Sequence, residues 1–366
     1  MTVTEIEPDS AELEASAAVE TAQAAGGIAA VRVSRVVRET ADAVSLELTP
    51  DPAHAARFSY RPGQFLTLRI PSDLTGSVSR CYSLSSAPHE DGPLKVTVKR
   101  TADGYGSNWL CDNAAEGLAL DVLPPAGLFT PASLDTDLLL FAGGSGITPV
   151  LSILKSVLAQ GSGQVALIYA NQHEQAVIFA TELAELAAAY PDRLVVLHWL
   201  QSVQGLPAVD QLAALARPWA GRETFVCGPG LFMDAVAAAM TALGADRKRV
   251  HIEKFVSLSG NPFEIDTAAE VDEDGDTATV RVELDGENHE FAWPRAQVLL
   301  DVLLAKGVDA PYSCREGACS ACVCRVVSGE VTMRRNEILE DADIADGYVL
   351  ACQAVPVTDD VSVTYS

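Results

Sequence analysis

The sequence predicts a multidomain protein of three folded units: an antiparallel β-barrel, an α/β unit on a parallel sheet, and a smaller α+β unit. Three observations carry this. From residue 30 to about 135, short β-rich runs are broken by Gly and Pro, the texture of a small antiparallel barrel or sandwich. From 136 to 254, apolar runs that do not alternate are interleaved with helical stretches. Strands of that kind are buried on both faces, as in a parallel sheet covered by helices. From 278 to 366, a hairpin, a helix and a late strand flank a loop dense in cysteine. A length of 366 residues suits two or three domains, and 48% hydrophobic content is ample for their cores.

Residues 1–29 contain Glu5, Glu7, Asp9, Glu12, Glu14 and Glu20, no Lys or Arg, and many Ala. They read as a disordered acidic leader, since a signal peptide needs a basic start and an apolar middle. Barrel strands are expected at 31–37, 44–48, 65–70, 82–85 and 94–99. Leading into the fourth of these, Arg80-Cys81-Tyr82-Ser83 offers a cation for a pyrophosphate, a ring to lie flat on another ring, and a hydroxyl for a ring nitrogen. A surface Arg80 and a core Tyr82 would explain the same residues.

Parallel strands are expected at 138–142, 165–169, 194–199, 225–227 and 250–252. The run Gly143-Gly144-Ser145-Gly146-Ile147-Thr148-Pro149 follows the first and precedes an amphipathic helix over 150–158. Its glycines permit close backbone approach, Pro149 suits a first helical turn, and the helix start offers N–H groups to a phosphate. G-x-G-x-x-G is absent, so an ordinary dinucleotide fingerprint is not matched. Cys227-Gly228-Pro229-Gly230 closes a later strand of the same sheet; Cys227 alone could be a small core thiol.

Residues 255–277, with Ser257, Ser259, Gly260, Asn261 and Pro262 followed by an acidic run, read as a linker. Beyond it, strands at 279–284 and 289–293 flank the turn signal Asp285-Gly286, a helix is expected at 298–306, and a last strand at 361–365. Cys314, Cys319, Cys322 and Cys352 have the spacing C-x4-C-x2-C-x29-C, the ligand pattern of a plant-type two-iron, two-sulfur (2Fe-2S) cluster. Gly317, Ala318, Ser320 and Ala321 keep the loop small, so amides can approach the sulfides. Zinc sites present paired knuckles, which the solitary fourth cysteine does not supply. Eight cysteines without a secretory signal are sparse for a disulfide framework. Cys81 and Cys111 read as small core residues; Cys324, two residues beyond a ligand, is open to either reading.

A net charge of −25 excludes nucleic acid and anionic membrane as partners. Residues 266–366 hold 21 Asp and Glu against 7 Lys and Arg, which reads either as a solvated surface or as an acidic docking face steering toward a basic partner. No apolar stretch approaches the ~20 residues that cross a bilayer, and the expected location is cytoplasmic.

In their order, these segments resemble the ferredoxin–NADP reductase superfamily joined to a plant-type ferredoxin, the arrangement of single-chain reductases that feed bacterial oxygenases. The resemblance covers nearly the whole chain after the leader. Stretches 80–86, 98–112, 161–171, His198-Trp199-Leu200 with Gly205-Leu206-Pro207, and 311–322 are especially similar to the reductase components of 3-ketosteroid 9α-hydroxylases, which serve sterol degradation. Ala318, Ser320 and the long leader depart slightly from that pattern.

The resemblance implies an FAD-binding barrel, an NAD-binding domain and a β-grasp ferredoxin domain. Arg80, Tyr82 and Ser83 would form the first flavin segment. Val98, Lys99, Gly106 and Ser107 would form the second, with amides at a helix start on the flavin pyrophosphate. Gly143, Gly144, Gly146 and Thr148 would meet Cys227, Gly228 and Pro229 at the nicotinamide, with Cys227 near the reacting carbon, and Glu253 and Phe255 would lie beside the flavin; Phe255 could equally be a core residue. The segment Tyr169-Ala170-Asn171-Gln172-His173-Glu174 has no arginine for a 2′-phosphate, which favours NADH over NADPH. Implied too is a terminal oxygenase partner, Rieske-type and steroid-hydroxylating; no acid–base catalyst is nominated. Still open are the reductase of an aromatic-ring dioxygenase or a phenylacetyl-CoA epoxidase, a redox-sensing regulatory subunit, and a zinc-bound C-terminal interaction module.

Overall fold

Alternation builds the first unit. Strand β1 (Ala29–Arg38) buries Ala29, Val31 and Val33 and exposes the residues between them, the period-2 pattern of a strand with one wet face. With β2 (Ala43–Pro50), β3 (Phe65–Ser72), β4 (Gly76–Ser83), β5 (Leu94–Lys99) and β6 (Ala119–Ala126) it forms an antiparallel sheet in the order β4-β3-β6-β1-β2-β5. A bridge between Leu84, just past β4, and Val96 of β5 joins the outer strands and closes the barrel. Leu46, Leu66, Leu68, Ile70 and Val96 fill it, and Leu110 of helix α1 (Tyr105–Asn113) packs among them.

The computed structural model describes residues 27–264 and 276–365. The expected acidic leader lies outside the described residues except for 27–29, and Ala29 already belongs to β1.

The second unit is a parallel sheet of β7 (Leu138–Gly143), β8 (Val165–Asn171), β9 (Leu194–Leu200), β10 (Glu223–Cys227) and β11 (Val250–Glu253), in the order β11-β10-β7-β8-β9. Helices α2 (Ile147–Gln160), α3 (Ala180–Ala189), α4 (Gln201–Gln204), α5 (Val209–Ala216) and α6 (Gly230–Ala242) connect the strands. The strand order reverses between β7 and β10, and ligands of such sheets bind at the carboxyl ends of the strands at that point.

Helix α2 departs from the amphipathic expectation: every residue from Ile147 to Leu158 is buried. It packs on the sheet with one side while its Lys155, 5% exposed, reaches Glu90 of the barrel at 2.8 Å and Glu182 of α3 at 3.1 Å. A cation on an otherwise apolar helix is tolerated because two carboxylates meet it.

In the third unit β12 (Thr277–Leu284) and β13 (Glu287–Pro294) form the expected hairpin, with Asp285 and Gly286 at φ of 52° and 81°. Helix α7 (Leu299–Ala305), strands β14 (Val323–Ser328) and β15 (Val331–Met333), helix α8 (Asp341–Ala345), and strands β16 (Tyr348–Leu350), β17 (Ala354–Pro356) and β18 (Asp360–Thr364) complete it. The mixed sheet runs β13-β12-β18-β14-β16 with β12 and β18 parallel. Leu299, Leu300 and Leu303 of α7 pack with Trp293 against its inner face, the arrangement of a β-grasp unit.

Arg193, ahead of β9, donates to the carbonyls of Val157, Leu158, Gly161 and Gly163 at 2.8–3.2 Å. It closes the carboxyl end of α2, where carbonyls lack intrahelical partners. Arg193→Ala is expected to cost about 1.5–3 kcal/mol, the scale of lost hydrogen bonds to a charged group. Urea unfolding monitored by circular dichroism checks this.

Candidate functional site

The cysteine loop is shaped by backbone first. Arg315 and Gly317 both take positive φ, 56° and 80°, and a Cβ on Gly317 would stand 2.8 Å from the Arg335 carbonyl oxygen. This winding turns amides inward: Glu316 and Ala318 donate to Cys314 Sγ at 3.4 and 3.3 Å, and Cys314 donates to Cys319 Sγ at 3.5 Å. All four cysteines are buried. Hydrogen bonds from Cys319 and Cys352, then from the two amides, hold the Cys314 sulfur far below the ordinary thiol range.

Side-chain interactions link Cys314 to Cys319 and Cys352, and Cys352 to Cys322. Among the described residues no group of three or more His, Cys, Asp or Glu is gathered to hold a single metal ion. Four buried cysteines with loop amides donating to Cys314 and Cys319 fit the ligand set of a two-iron core, and the solitary fourth cysteine does not make the paired knuckles of a zinc site. Cys324 pairs with Val349 between β14 and β16, buried in the sheet core.

At the reversal of the parallel sheet, β7 and β10 deliver their loops into van der Waals contact. A Cβ on Gly146 would stand 2.1 Å from the Cys227 carbonyl oxygen, one on Gly228 3.0 Å from Gly143 Cα, and one on Gly143 2.8 Å from Pro229 Cδ. A cleft of about 790 Å³ opens above them, lined by Gly143, Gly144, Gly228, Pro229, Phe255 and Lys99 from the sequence-nominated set. Phe255 is 49% exposed and so is no core residue. Thr148 is buried and donates to the Ser145 carbonyl, which shapes the loop from beneath.

Trp199, Gln201, Leu206, Pro207 and Leu231 also line the cleft. Trp199, Leu206 and Pro207 stood out only by resemblance, whereas the exposure of Leu206 and Leu231, 73% and 85%, marks them physically. The β8 end, Ala170, Asn171 and Gln172, lines the cleft without contributing a cation.

Cys227 and Glu253 are register partners across β10 and β11. Burial pushes the Cys227 thiol well up, with Glu253 adding to the effect. Burial also lifts the Glu253 carboxyl to about 7.

On the barrel, Arg80 has no ion pair among the described residues, and its Nη1 donates to the carbonyls of Ser79 and Leu258. Gly106 leaves room for it, since a Cβ there would stand 2.9 Å from Arg80 Cγ. No side chain caps the start of α1 beside it. An unpaired guanidinium at an uncapped helix start fits a pyrophosphate. Tyr82 is partly buried, Ser83 is buried, and Val98 points into the barrel core, so it can offer only backbone.

Cys81 departs from the core reading. It lies where the barrel meets the cysteine loop, 3.4 Å from Thr67 Oγ1 and 3.8 Å from Ser313 Oγ, and Thr67 and Ser313 hydroxyls meet at 2.6 Å. Phe65, Ala126, Leu258, Ala318, Cys319 and Ala321 pack around this contact. The third unit also reaches the second: Arg247 pairs with Glu340, and Lys248 with Asp346 at 3.4 Å, across an open cleft of about 760 Å³.

Three family models match in series: an oxidoreductase FAD-binding domain over 31–130, an oxidoreductase NAD-binding domain over 140–238, and a 2Fe-2S iron-sulfur cluster binding domain over 282–357. The chain is 60% identical, over 91% of its length and 95% of the relative's, to the ferredoxin reductase component of 3-ketosteroid-9-alpha-monooxygenase of Rhodococcus rhodochrous. With the corresponding component of Mycolicibacterium smegmatis it shares 58% over 92% and 96%. A component of the 1,2-phenylacetyl-CoA epoxidase of Escherichia coli is 35% identical over 91% and 96%. Among solved structures, phthalate dioxygenase reductase superposes with a TM-score of 0.57 at 26% identity, covering 92% of this chain and 98% of that one.

Gly146→Ala is expected to force the two loops apart and weaken dinucleotide binding by roughly tenfold or more, the effect of an overpacked close contact. Titration with NAD while flavin and cluster absorbance stay intact reads this out. Glu253 has a folded pKa of about 7 against an ordinary 4.5, so the folded state holds the extra proton between those values. Its contribution to stability is therefore most favourable below 4.5 and is lost as pH rises to about 7. Glu253→Gln should flatten the melting-temperature profile across that window, and an unchanged slope would place the titration elsewhere.

Proposed function

The chain belongs to the family of 3-ketosteroid-9-alpha-monooxygenase ferredoxin reductase components, and on that premise we propose how its residues carry electrons from NADH to a terminal oxygenase. It is an oxidoreductase with FAD-binding, NAD-binding and 2Fe-2S units. The observation that carries the reading is the convergence of the three sites: the cleft at the sheet reversal is walled by the barrel's Lys99, and the barrel's β4 touches the cysteine loop through Cys81 and Ser313.

Bound flavin accepts a hydride as an electron pair and gives electrons up singly, as a 2Fe-2S centre requires. The protein supplies placement. Arg80 and the start of α1 would hold the anionic end of FAD and Tyr82 and Ser83 its ring, with Phe255, exposed at the cleft, beside it. The loops after β7 and β10 hold the dinucleotide, Gly143, Gly144, Gly228 and Pro229 giving it backbone without steric interference. Cys227, kept neutral by burial, and its register partner Glu253 would lie near the reacting edge, although Glu253 lines the neighbouring cleft of about 760 Å³. The cation-free β8 end takes a 2′-hydroxyl, hence NADH. Cys314, Cys319, Cys322 and Cys352 ligate the cluster.

The partner is a Rieske-type, steroid-hydroxylating oxygenase, and the site of action is the cytoplasm, where thiols stay reduced. Glu340 and Asp346 are engaged in ion pairs within the chain and Asp343 accepts from the Glu340 amide at 2.8 Å, so of these four carboxylates Asp341 is the one that steers toward a basic partner.

Purified protein is expected to show flavin, iron and sulfide, to bleach with NADH, and to reduce cytochrome c. Cys352→Ser should remove the cluster and the cytochrome c reduction while NADH still bleaches the flavin. Reconstitution with a steroid-hydroxylating oxygenase should give 9α-hydroxylated product. Product formed only with an epoxidase or aromatic-ring oxygenase would reassign the partner.

A further inference from the structure

Alternate residues of β4, Ser77, Ser79 and Cys81, form a small polar face. Ser77 is 5% and Ser79 1% exposed. Small hydroxyls buried on a strand face must find partners, and here the partners are the segment that leaves the second unit. Ser79 Oγ donates to the Gly260 carbonyl at 2.9 Å, Arg80 Nη1 to the Leu258 carbonyl at 3.1 Å, and Asn261 Nδ2 to Ser77 Oγ at 2.8 Å. Residues 258–261 therefore lie strapped along β4.

The other side of the strap faces the cysteine loop. Glu316, two residues after the first ligand, accepts from the Ser259 amide at 2.9 Å, the Ser259 hydroxyl at 2.6 Å and the Gly260 amide at 2.7 Å. Its side chain is only 12% exposed. A carboxylate satisfied by three short donors is a strong, directional clamp.

We propose that Glu316, Ser259 and Ser79 are positioning residues that hold the cysteine loop against β4 in the pose from which the cluster receives electrons. The inference rests on the electron route proposed above. Carbonyls of the strap bind β4, amides of the strap bind Glu316, and the strand that carries Arg80 and Tyr82 toward the flavin thereby fixes the cluster on its other face. The segment expected to be a plain linker is, over its first part, a spacer of set thickness; residues 265–275 lie outside the described residues.

The test uses the holoenzyme. Glu316→Gln and the pair Ser79→Ala with Ser259→Ala are compared with wild type by stopped-flow absorbance, which separates flavin reduction by NADH from the following cluster reduction. Amide hydrogen exchange at 258–261 is read in parallel. Flavin reduction should be unchanged, cluster reduction slowed about tenfold, the scale of losing charge-assisted hydrogen bonds, and exchange at Ser259 and Gly260 accelerated. A merely structural defect would lower flavin reduction and cofactor content alongside. If Glu316→Gln assembles no cluster, the double serine variant, which leaves the cysteine loop intact, decides. Cluster reduction at the wild-type rate despite faster exchange overturns the inference, as does unchanged exchange. A wild-type chain whose cluster NADH fails to reduce would instead sink the electron route itself.

Discussion

The hydrogen bonds that seat residues 258–261 on β4 set the relation between the barrel and the cysteine-bearing unit. A strand has two faces, and β4 divides its labour by them. Long side chains, Arg80 and Tyr82, occupy alternate positions, and small polar ones, Ser77, Ser79 and Cys81, occupy the rest. Larger residues at the small positions would push the strap and the cysteine loop away from the barrel. Nonpolar residues of the same size would strand buried carbonyls, at a cost of about 1–3 kcal/mol each.

Tight backbone contact does similar work at the sheet reversal. The loops after β7 and β10 touch through Gly143, Gly146 and Gly228 because any Cβ there would collide with backbone or proline. The consequence is a rigid floor to the cleft, built by the parallel sheet and its buried α2. Lys155 ties that helix to the barrel through Glu90, which joins the floor to the unit that supplies the Lys99 wall.

Much of this was legible in the residues. Non-alternating apolar runs gave the parallel strands nearly to their ends, Asp285-Gly286 gave the hairpin, and the cysteine spacing pointed to the 2Fe-2S domain that matches over 282–357. What escaped had physical reasons. β4 begins at Gly76 rather than at 82 because its first residues are serines and glycine, poor in strand signal. Helix α2 looked amphipathic because Ser152, Lys155 and Ser156 are polar, yet they are buried and, for the lysine, paired. Cys81 looked like a core residue because period-2 placement cannot tell a domain's interior from its contact with another domain. The run Ser77, Ser79, Cys81 was nevertheless a visible alternation of small polar residues, and such a stripe on a strand signals a face that something polar must cover.

The two ion pairs spanning the open cleft, Arg247 with Glu340 and Lys248 with Asp346, have side chains roughly half exposed or more. Pairs of that kind contribute about 0–1 kcal/mol and fade with ionic strength. They join the third unit to the second by contacts that salt weakens, whereas the seam at β4 rests on short, directional hydrogen bonds to backbone and small side chains. The third unit thus meets the barrel through directional hydrogen bonds and the second unit through screened charge pairs, so ionic strength acts on one of its two contacts far more than on the other.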